Sequence, residues 1–579
     1  MPVALYGQAD TLWTANVLGG AYRSEEVKTS SDSLLATISS ASSYLSKDSR
    51  FILKQYTPGS VVTSSFGGAS SEQSRVLWDG IDISSMASGV FDLSLVPASM
   101  LNNTALYDGI NGGALAPMGS VGALNVAAEI PKGRGTSTLF SASSIGDRGL
   151  FAQSWGNIGT VRYQSSLRST GGTNSYPYTL GSLNGVLEGN GYNDLTYLQS
   201  FQGKLSRWNW ESTLWYTQSE KDNSGSILTP GYINHLEDDM LRFKYAIRNR
   251  TNQWQVYLGR EWQAYTDTNS PWTITDTNTY TQATVQYSRR NERQELFITS
   301  NYFRADGTNR SATAFLPHVL YNLSLTKNDR LVIKGAGYQG RVHVGAHYNR
   351  ATKTGKWGKQ FAAGTYYRLP TLNELYWRPG GNPALDAERS YGVKYTLHRM
   401  GKTALRISTD QLYYDRMIQW APGSSGNWSP QNYYAVYTST TTASATRNWS
   451  KLTTDINLTH QYSRVLSTAS NDPSIVGKSL IYRPMIQAVY TSEYHLPVGV
   501  IQFRGFYTGL RHTLRDNTAA GEIPAQFWCA LSYSVAGANK RWNLLVLVDN
   551  VFNNERQCYQ YFPMPGRSYQ LTLKLNSKQ

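Results

Sequence analysis

Apolar and polar residues alternate along most of the chain from about residue 135 onward. In the stretch WQVYL, for example, Trp254, Val256 and Leu258 share one face, and YQLTLKL at 569–575 follows the same rule. A period of two places every second side chain on the same face of an extended strand. The pattern predicts a long series of β-strands with one apolar face, which suits either a transmembrane barrel or several soluble β-domains.

The connections between these strands favour the barrel. Ten of them are short polar turns, at 157–159, 207–209, 248–250, 290–292, 327–329, 353–355, 400–402, 447–449, 496–498 and 537–539. The connections on the other side are of uneven and often great length, as in outer-membrane barrels with short periplasmic turns and long outer loops. If the chain enters and leaves on the periplasmic side, ten inner turns imply eleven outer hairpins. The predicted fold is therefore all-β, a 22-stranded antiparallel transmembrane β-barrel, a size at which the lumen is plugged.

Composition agrees with a barrel and excludes a helical membrane protein. The 579 residues contain no apolar run that approaches the roughly 20 residues of a spanning helix. Aromatic residues make up 12% of the chain, as expected if girdles of Tyr and Trp mark both membrane interfaces. Soluble β-domains remain the alternative, although they rarely keep short turns on one side over so long a segment.

Net charge and cysteine content limit the classes of partner and of metal site that the chain could have. The net charge is +15, from 54 Lys and Arg against 39 Asp and Glu, which suits nucleic acid, an anionic membrane surface or an acidic ligand. The basic residues are scattered among turns and form no patch interleaved with aromatics, so nucleic acid is not an expected partner. Cys529 and Cys558 are too few for a disulfide framework, and no Cys/His spacing suggests a zinc site. We predict neither a metal site nor a cofactor; one disulfide and two free thiols both remain open.

Residues from about 45 to 130 differ from the rest, because they are rich in glycine and contain only short apolar runs. Three segments, VLWDGIDI (76–83), DLSLVPASML (92–101) and GSVGALNV (119–126), resemble the plug of TonB-dependent outer-membrane receptors. The resemblance implies structural roles for Asp79, Gly80, Gly119 and Gly122. The chain departs from the family at SSFGGAS (64–70), which lacks the usual Arg-Gly pair, and at 121–124, where one glycine is missing.

The resemblance extends to both ends of the chain. DTLWTANV (10–17) is similar to a TonB box, an extended segment that adds to a strand of the energising protein TonB. Its candidate residues are Asp10, Thr11, Leu12, Trp13, Thr14 and Ala15. An ordinary N-terminal tail is the alternative. VDNVFNNERQCYQYFPMPGRSYQLTLKL (548–575) is similar to the last two strands of the family's barrel, although the chain ends in NSKQ instead of an aromatic residue.

The expected organisation has three parts. They are an N-terminal segment (1–17) with the candidate TonB box, a plug domain (18–133) and a transmembrane barrel (134–579). Residues 7–9 have the small-x-small form of a cleavage site, so 1–9 are interpreted as a signal-peptide remnant, with an engineered or atypical N-terminus as the alternative. The resemblance implies the outer membrane of a Gram-negative bacterium, its lipid and the TonB-ExbB-ExbD complex as surroundings and partners. The large outer loops also permit a surface lipoprotein cap.

One outer segment, YRLPTLNELYWRPGGNPAL (367–385), carries the candidate ligand chemistry. Strand counting assigns it to the seventh outer loop, between strands 13 and 14, and its prolines and glycines suit a sharp turn outside regular pairing. It resembles paired boxes of haem receptors and, more loosely, of cobalamin receptors. The absence of histidine between the boxes argues against haem, whose iron usually takes an imidazole.

Aromatic and cationic side chains in this loop and the next could hold a planar, acidic ligand by stacking and charged hydrogen bonds. The candidates are Tyr376, Trp377, Arg378, Trp420 and Trp428. Packing in an interfacial girdle explains the aromatic residues equally well.

The expected function is active import of a large, scarce small-molecule nutrient, with cobalamin or a related corrinoid as first choice. A haem or ferric-siderophore receptor of the same family is the alternative. Outside that class stand a passive porin and a surface receptor without transport. An enzyme is not expected, since no Ser-His-Asp grouping at a strand end and no HExxH motif occurs.

Overall fold

The computed structural model describes residues 25–26, 45–46, 48–97, 100, 104–113, 121–269, 274–308, 310–338, 341–351, 356–377, 380–422, 428–468, 473–537 and 539–578. The N-terminal strands are β1 (Glu25–Glu26), β2 (Phe51–Lys54), β3 (Thr63–Phe66), β4 (Arg75–Trp78), β5 (Ile81–Asp82), β6 (Ala105–Asp108) and β7 (Gly122–Val126). The helices are α1 (Ile110–Gly113) and α2 (Leu372–Tyr376), and short 3₁₀ turns cover Ser71–Gln73, Leu93–Leu95, Pro473–Ile475 and Ala519–Gly521.

Longer strands make up the rest of the described chain. They are β8 (Gly135–Ser143), β9 (Arg148–Ile158), β10 (Val161–Gly172), β11 (Tyr176–Leu180), β12 (Leu183–Leu187), β13 (Tyr192–Leu205), β14 (Trp208–Ser224), β15 (Ile233–Arg248), β16 (Asn252–Asp267), β17 (Ile274–Arg290), β18 (Gln294–Gly307), β19 (Arg310–Ser324), β20 (Asp329–Tyr338), β21 (Arg341–Ala351), β22 (Trp357–Arg368), β23 (Glu388–Arg399), β24 (Thr403–Pro422), β25 (Trp428–Asn448), β26 (Leu452–Ser467), β27 (Ile486–His495), β28 (Val500–Thr508), β29 (Arg511–His512), β30 (Glu522–Ile523), β31 (Gln526–Ala536), β32 (Trp542–Asp549) and β33 (Ser568–Lys578).

A closed barrel of 22 antiparallel strands confirms the predicted fold class. It runs from β8 to β33 in chain order, while β11–β12 and β29–β30 form small separate sheets in the outer connections. Closure occurs where β33 pairs with β8, from Gln570 opposite Ser143 to Lys578 opposite Gly135. A closed ladder leaves no unpaired backbone edge, which is what a sheet in lipid requires.

The apolar face of each strand points outward. On β16, Trp254 is 48% and Leu258 50% exposed, whereas Gln253 and Gln255 between and beside them are 4% and 2% exposed. A soluble protein would bury the first pair and expose the second. This inversion indicates that hydrocarbon surrounds the barrel, and it removes the soluble alternative. No helix in the described ranges is long and apolar enough to cross a membrane.

The ten predicted turns all fall between consecutive barrel strands. For example, β9 ends at Ile158 and β10 begins at Val161. The turns at 353–355 and 537–539 contain residues outside the described part, but the strands on either side of each are in place. Counted from β8, β22 and β23 are strands 13 and 14, so the prediction that 367–385 spans the seventh outer connection is confirmed.

A small folded unit fills the lumen, and we call it the plug. Its sheet has the order β1-β6-β7-β4-β5, and β4 and β7 run parallel. Its apolar core continues into the barrel wall, because Trp78 meets Trp215 and Tyr257 edge to face, with ring centroids 5.5 and 6.1 Å apart. Such pairs add to the burial energy of the rings.

Two of the resemblance-derived plug positions occupy the turn between β4 and β5. Asp79 has φ 49° and Gly80 has φ 83°. Gly122, at the start of β7, has φ 140°, and a Cβ there would lie 2.5 Å from the ring of Phe66. Gly119 lies outside the described residues.

Three lysines of the barrel wall each contact an aspartate of the plug. Lys221 bonds to Asp92, Lys244 to Asp79, and Lys394 to Asp108, the last with Nζ 2.9 Å from Oδ1. The three lysines are 1%, 2% and 2% exposed. We call them the wall lysines. Loss of one partner from a buried ion pair leaves an unpaired buried charge, which is strongly destabilising. The three ion pairs therefore hold the plug in place against the barrel wall.

Candidate ligand site

The base of the seventh outer loop is held by a buried arginine. Helix α2 begins with a capping box, in which Thr371 Oγ1 accepts from the Glu374 amide (3.1 Å) and Glu374 Oε2 accepts from the Thr371 amide (2.8 Å). The Glu374 carboxylate also accepts two hydrogen bonds from Arg368, at 2.9 and 3.0 Å. This fork geometry is the strongest form of an Arg–carboxylate contact.

The same arginine connects the loop with the plug. Arg368 Nη2 lies 3.6 Å from Glu388 Oε2, at the start of β23. Glu388 in turn accepts from the Gln73 side chain of the plug (2.7 Å) and from the Ile418 amide of β24 (3.0 Å). We call Arg368, Glu374, Glu388 and Gln73 the Arg368 network. Glu374 and Glu388 are buried carboxylates that share one guanidinium. The positive charge of Arg368 offsets the cost of burying their negative charges.

Loop seven is also fixed to the hairpin of β24 and β25. Asn382 Nδ2 donates to the Pro430 carbonyl (3.1 Å). The Asp386 amide donates to Asn432 Oδ1 (2.8 Å), and Asn432 Nδ2 donates back to the Asp386 carbonyl (3.0 Å). The two outer loops therefore form one surface.

Gly380 sits at the closest approach of these loops, and its replacement is expected to separate them. A Cβ at Gly380 would lie 2.0 Å from the Trp428 carbonyl oxygen, a backbone atom that cannot rotate away. We expect Gly380→Ala to cost about 1 to 3 kcal/mol of loop docking, the usual range for overpacking. The loss of docking would be measured as faster proteolysis, on intact cells, of the outer connection between β24 and β25. Gly401→Ala is the matched control, since its Cβ would lie 3.8 Å from the Thr403 carbonyl oxygen, an ordinary contact distance. Equal sensitivity of both variants would contradict the expectation.

The sequence-derived candidates divide into two places. Tyr376 is 42% exposed at the end of α2, and the Trp377 ring packs 4.8 Å from that of Tyr265 on β16. On the other side of the loop, the Trp420 ring lies 3.6 Å from the position of a Gly380 Cβ, beside Trp428. Arg378 lies outside the described residues, as do Asp10 to Ala15 of the candidate TonB box.

A row of aromatic rings crosses the outer mouth and was not predicted. Tyr56 of the plug stacks on Tyr559 with centroids 4.4 Å apart, Tyr559 meets Tyr482 at 5.2 Å, and Tyr482 meets Trp428 at 6.1 Å. Phe562 packs edge-on against Tyr56 at 4.8 Å. We call these five residues the aromatic row. They come from the plug and three separate outer connections, so no spacing in the sequence could reveal them; Trp428 alone was a candidate.

Below this row lies a cavity of about 420 Å³ between the plug and the wall. Its lining includes Lys54 of β2, Arg168 of β10, Arg511 of β29 and the rings of Tyr482 and Tyr559. Burial and, to a smaller extent, the nearby Arg483 guanidinium lower the pKa of Lys54 to about 8. A mixed lining of aromatic and cationic groups suits a ligand with a flat surface and negative charge.

Groups of three or more His, Cys, Asp or Glu that could hold a metal ion do not occur among the described residues. Cys529 is buried, Cys558 is partly buried, and both are free thiols.

Comparison with solved structures identifies the architecture. The ferric enterobactin receptor of Pseudomonas aeruginosa matches with a TM-score of 0.74 at 13% identity, over 94% of this chain and 97% of that one. The siderophore receptor PirA of Acinetobacter baumannii matches with 0.74 at 11% identity, over 93% and 96%. A structure described as the copper transporter OprC gives 0.75 at 13%, over 93% and 95%. The chain has the fold of TonB-dependent outer-membrane receptors.

Similarity to known sequences is confined to a short segment of the chain. Two vitamin B12 transporters are similar over one segment, that of Photobacterium profundum with 38% identity over 77 residues and that of Vibrio vulnificus with 36% over 73. Each match covers 12% of this chain and 12% of the relative, so the aligned segment spans only a small part of those proteins. No protein-family model matches the chain.

Proposed function

We propose that the protein is a TonB-dependent transporter that actively imports a large, scarce nutrient across the outer membrane of a Gram-negative bacterium. The filled lumen is the observation that carries this proposal. A plug whose core packs on Trp215 and Tyr257 of the wall lies in the path of a large solute, so passive diffusion of such a solute is disfavoured. Entry then requires a plug rearrangement driven from the periplasmic side.

Ligand binding and energy supply meet at the plug. Tyr56 brings the plug into the aromatic row at the outer mouth, while the candidate TonB box at 10–15 precedes the plug in the chain. A ligand that contacts both plug and outer loops can favour one plug arrangement over another only through such differential contacts. An exposed box would add a strand to TonB, which works with ExbB and ExbD.

Cobalamin or a related corrinoid is the first candidate ligand. The matched segment of the vitamin B12 transporters supports it, as does an outer surface with Tyr376, Trp377, Trp420 and Trp428 available to stack on a flat macrocycle. Arg378 would meet an acidic group of such a ligand. A ferric siderophore is the second candidate, because one of the similar structures is named a siderophore receptor and another a ferric enterobactin receptor. A surface lipoprotein cap remains compatible with the large outer loops.

Deletion of residues 10–15 tests the transport proposal. We expect surface binding of cyanocobalamin to persist and its uptake to fall to the level of cells without the protein. Scrambling the six residues within the same length is the matched control for chain length. Uptake that survives the deletion would contradict energised transport and favour a passive pore.

The choice of ligand needs a separate experiment. A strain that lacks this gene and any redundant receptor is expected to grow poorly when cyanocobalamin is limiting and normally when it is abundant. Normal growth on limiting cyanocobalamin, with poor growth on a limiting ferric siderophore, would transfer the proposal to the second candidate.

A further inference from the structure

Arg511 is a buried cation with unused hydrogen-bond donors. Its side chain is 6% exposed, and Nη1 donates to the Cys558 carbonyl at 3.3 Å. Within the described part of the chain, its Nε and Nη2 have no hydrogen-bond partner. A buried charged donor without a partner is costly, commonly by more than the cost of a neutral group. Such a group is retained most readily where a bound ligand accepts hydrogen bonds from its remaining donors.

The position of Arg511 is fixed from both sides. The Tyr482 amide donates to the carbonyl of the adjacent His512 (2.7 Å), and Thr513 Oγ1 donates to Gln560 Oε1 (2.8 Å). These bonds join the outer connection of Arg511 to the two connections that supply Tyr482 and Tyr559. The backbone that carries Arg511 is therefore held beneath the aromatic row, which lowers the cost of ordering this segment when a ligand binds.

A second cation faces the same part of the cavity. Lys54 and Arg511 both line the cavity, together with Cys558. The Glu72 carboxylate raises the pKa of Lys54, against the larger effect of burial.

Four aspartates line the cavity, against the six cationic residues Lys54, Arg148, Arg168, Arg504, Arg511 and Arg556. One of the four, Asp147, accepts from Ser143 through Oδ2 at 3.2 Å. Asp549 accepts from Arg556 at 2.6 Å, Asp194 accepts from Ser219 at 2.6 Å, and Asp48 is bonded to Arg50. The cavity beneath the aromatic row therefore keeps net positive character.

We propose that Arg511, assisted by Lys54, forms an oxyanion subsite beneath the aromatic row, for a ligand that carries its oxyanion beside a flat ring system. Tyr56 and Tyr559 supply the stacking surface, and Tyr56 is 43% exposed and so open to the outside. This subsite rests on the proposed import function and narrows its ligand class. The phosphodiester of a complete corrinoid and the oxygens of a ferric catecholate share the required chemistry.

Equilibrium binding to the purified full-length protein, followed by tryptophan fluorescence, tests the subsite. The probes are cyanocobalamin, dicyanocobinamide, which lacks the phosphodiester, and ferric enterobactin. We expect Arg511→Met to weaken whichever anionic probe the wild type binds by about tenfold to a hundredfold, the usual worth of a charged hydrogen bond. Dicyanocobinamide binding should not change. Loss for cyanocobalamin identifies the phosphodiester as the source, and loss for ferric enterobactin identifies the catecholate.

Matched variants separate the subsite from general damage. Arg304→Met removes an exposed arginine at the outer end of β18, 55% exposed and outside the cavity lining, and should bind every probe as the wild type does. If Arg511→Met does not assemble, Lys54→Met decides, because the half-buried Lys54 should tolerate methionine and still weaken the anionic probe. Unchanged anion binding in the assembled variants, equal loss for dicyanocobinamide, or no anionic probe bound by the wild type would overturn the subsite.

The binding test of Arg511→Met and the transport test by deletion of residues 10–15 can fail separately. A protein that loses anion binding in Arg511→Met but imports without residues 10–15 keeps the subsite and loses the proposed function. The reverse pattern, box-dependent uptake with normal binding in Arg511→Met, removes the subsite alone.

Discussion

In a Lys244→Met variant, the plug is expected to unfold at a lower temperature while the transition of the barrel stays in place. Lys244 Nζ contacts the Asp79 carboxylate, lies 3.1 Å from Glu211 Oε1 and sits 5.0 Å from the ring centroid of Trp78. Methionine would leave Asp79 buried without its cation. Removal of one partner from a buried pair costs about 3 to 5 kcal/mol, a large part of the stability of a small unit. Calorimetry of the purified protein measures the shift, and vancomycin sensitivity of intact cells reports the loosened plug.

Two comparisons show whether the ion pair is the cause. Lys574→Met removes an inward-facing lysine of β33 for which the described chain offers no ion pair, and it should leave both transitions unchanged. Adding Asp79→Asn to Lys244→Met should recover part of the loss, because an amide is cheaper to bury than a carboxylate. An equal shift in Lys574→Met, or no recovery in the double variant, would contradict the role of Lys244.

The second large effect is expected from Arg368→Met, which should release the seventh outer loop. Arg368 is 2% exposed and is the guanidinium between Glu374 and Glu388, so its loss leaves two buried carboxylates to repel each other. We expect about 3 to 5 kcal/mol of local destabilisation. Hydrogen exchange of the α2 amides (Leu372–Tyr376) should become faster, while exchange in β16 should not change.

Arg389→Met is the control for this variant. It removes the same charge from the adjacent residue, whose side chain lies on the opposite face of β23 from Glu388. We expect normal protection of α2 in this protein. Fast exchange in both variants would mean that positive charge near β23, and not the Arg368 network, holds the loop.

The barrel could be predicted from the sequence because its signals are local. Alternation along WQVYL places Trp254 and Leu258 outward without any knowledge of their neighbours, and each short polar turn marks its own strand boundary. Counting such turns was enough to assign the segment from Tyr367 to the seventh outer loop. Closure follows from the count, since an even number of antiparallel strands returns the chain to the side where it started.

The role of Arg368 was within reach of the sequence but was missed. Thr371 and Glu374 stand three apart before an apolar residue, the spacing of a capping box. That spacing would have predicted a short helix and assigned Glu374 to structure. The aromatic residues of the same segment favoured Tyr376 and Trp377 as candidates instead, and their contact with a ligand stays a prediction.

The aromatic row and the wall lysines could not have been predicted. Tyr56 and Tyr559 stack although some five hundred residues separate them, and nothing near either residue indicates the other. Likewise, a net charge of +15 says nothing of how Lys221, Lys244 and Lys394 are distributed. Their pairing with plug aspartates depends on how the lumen is filled, which is a property of the closed barrel and not of any local segment.

The separation of the plug sheet from the barrel sheet has a mechanical consequence. The described strands of the plug pair with one another, and none of them shares a backbone ladder with the wall. A pull from the periplasm would therefore meet side-chain contacts that can be exchanged for water one after another, with no sheet to shear as a unit. The resistance to such a pull should come in small steps spread along the path, and the barrel should keep its shape after the plug has moved.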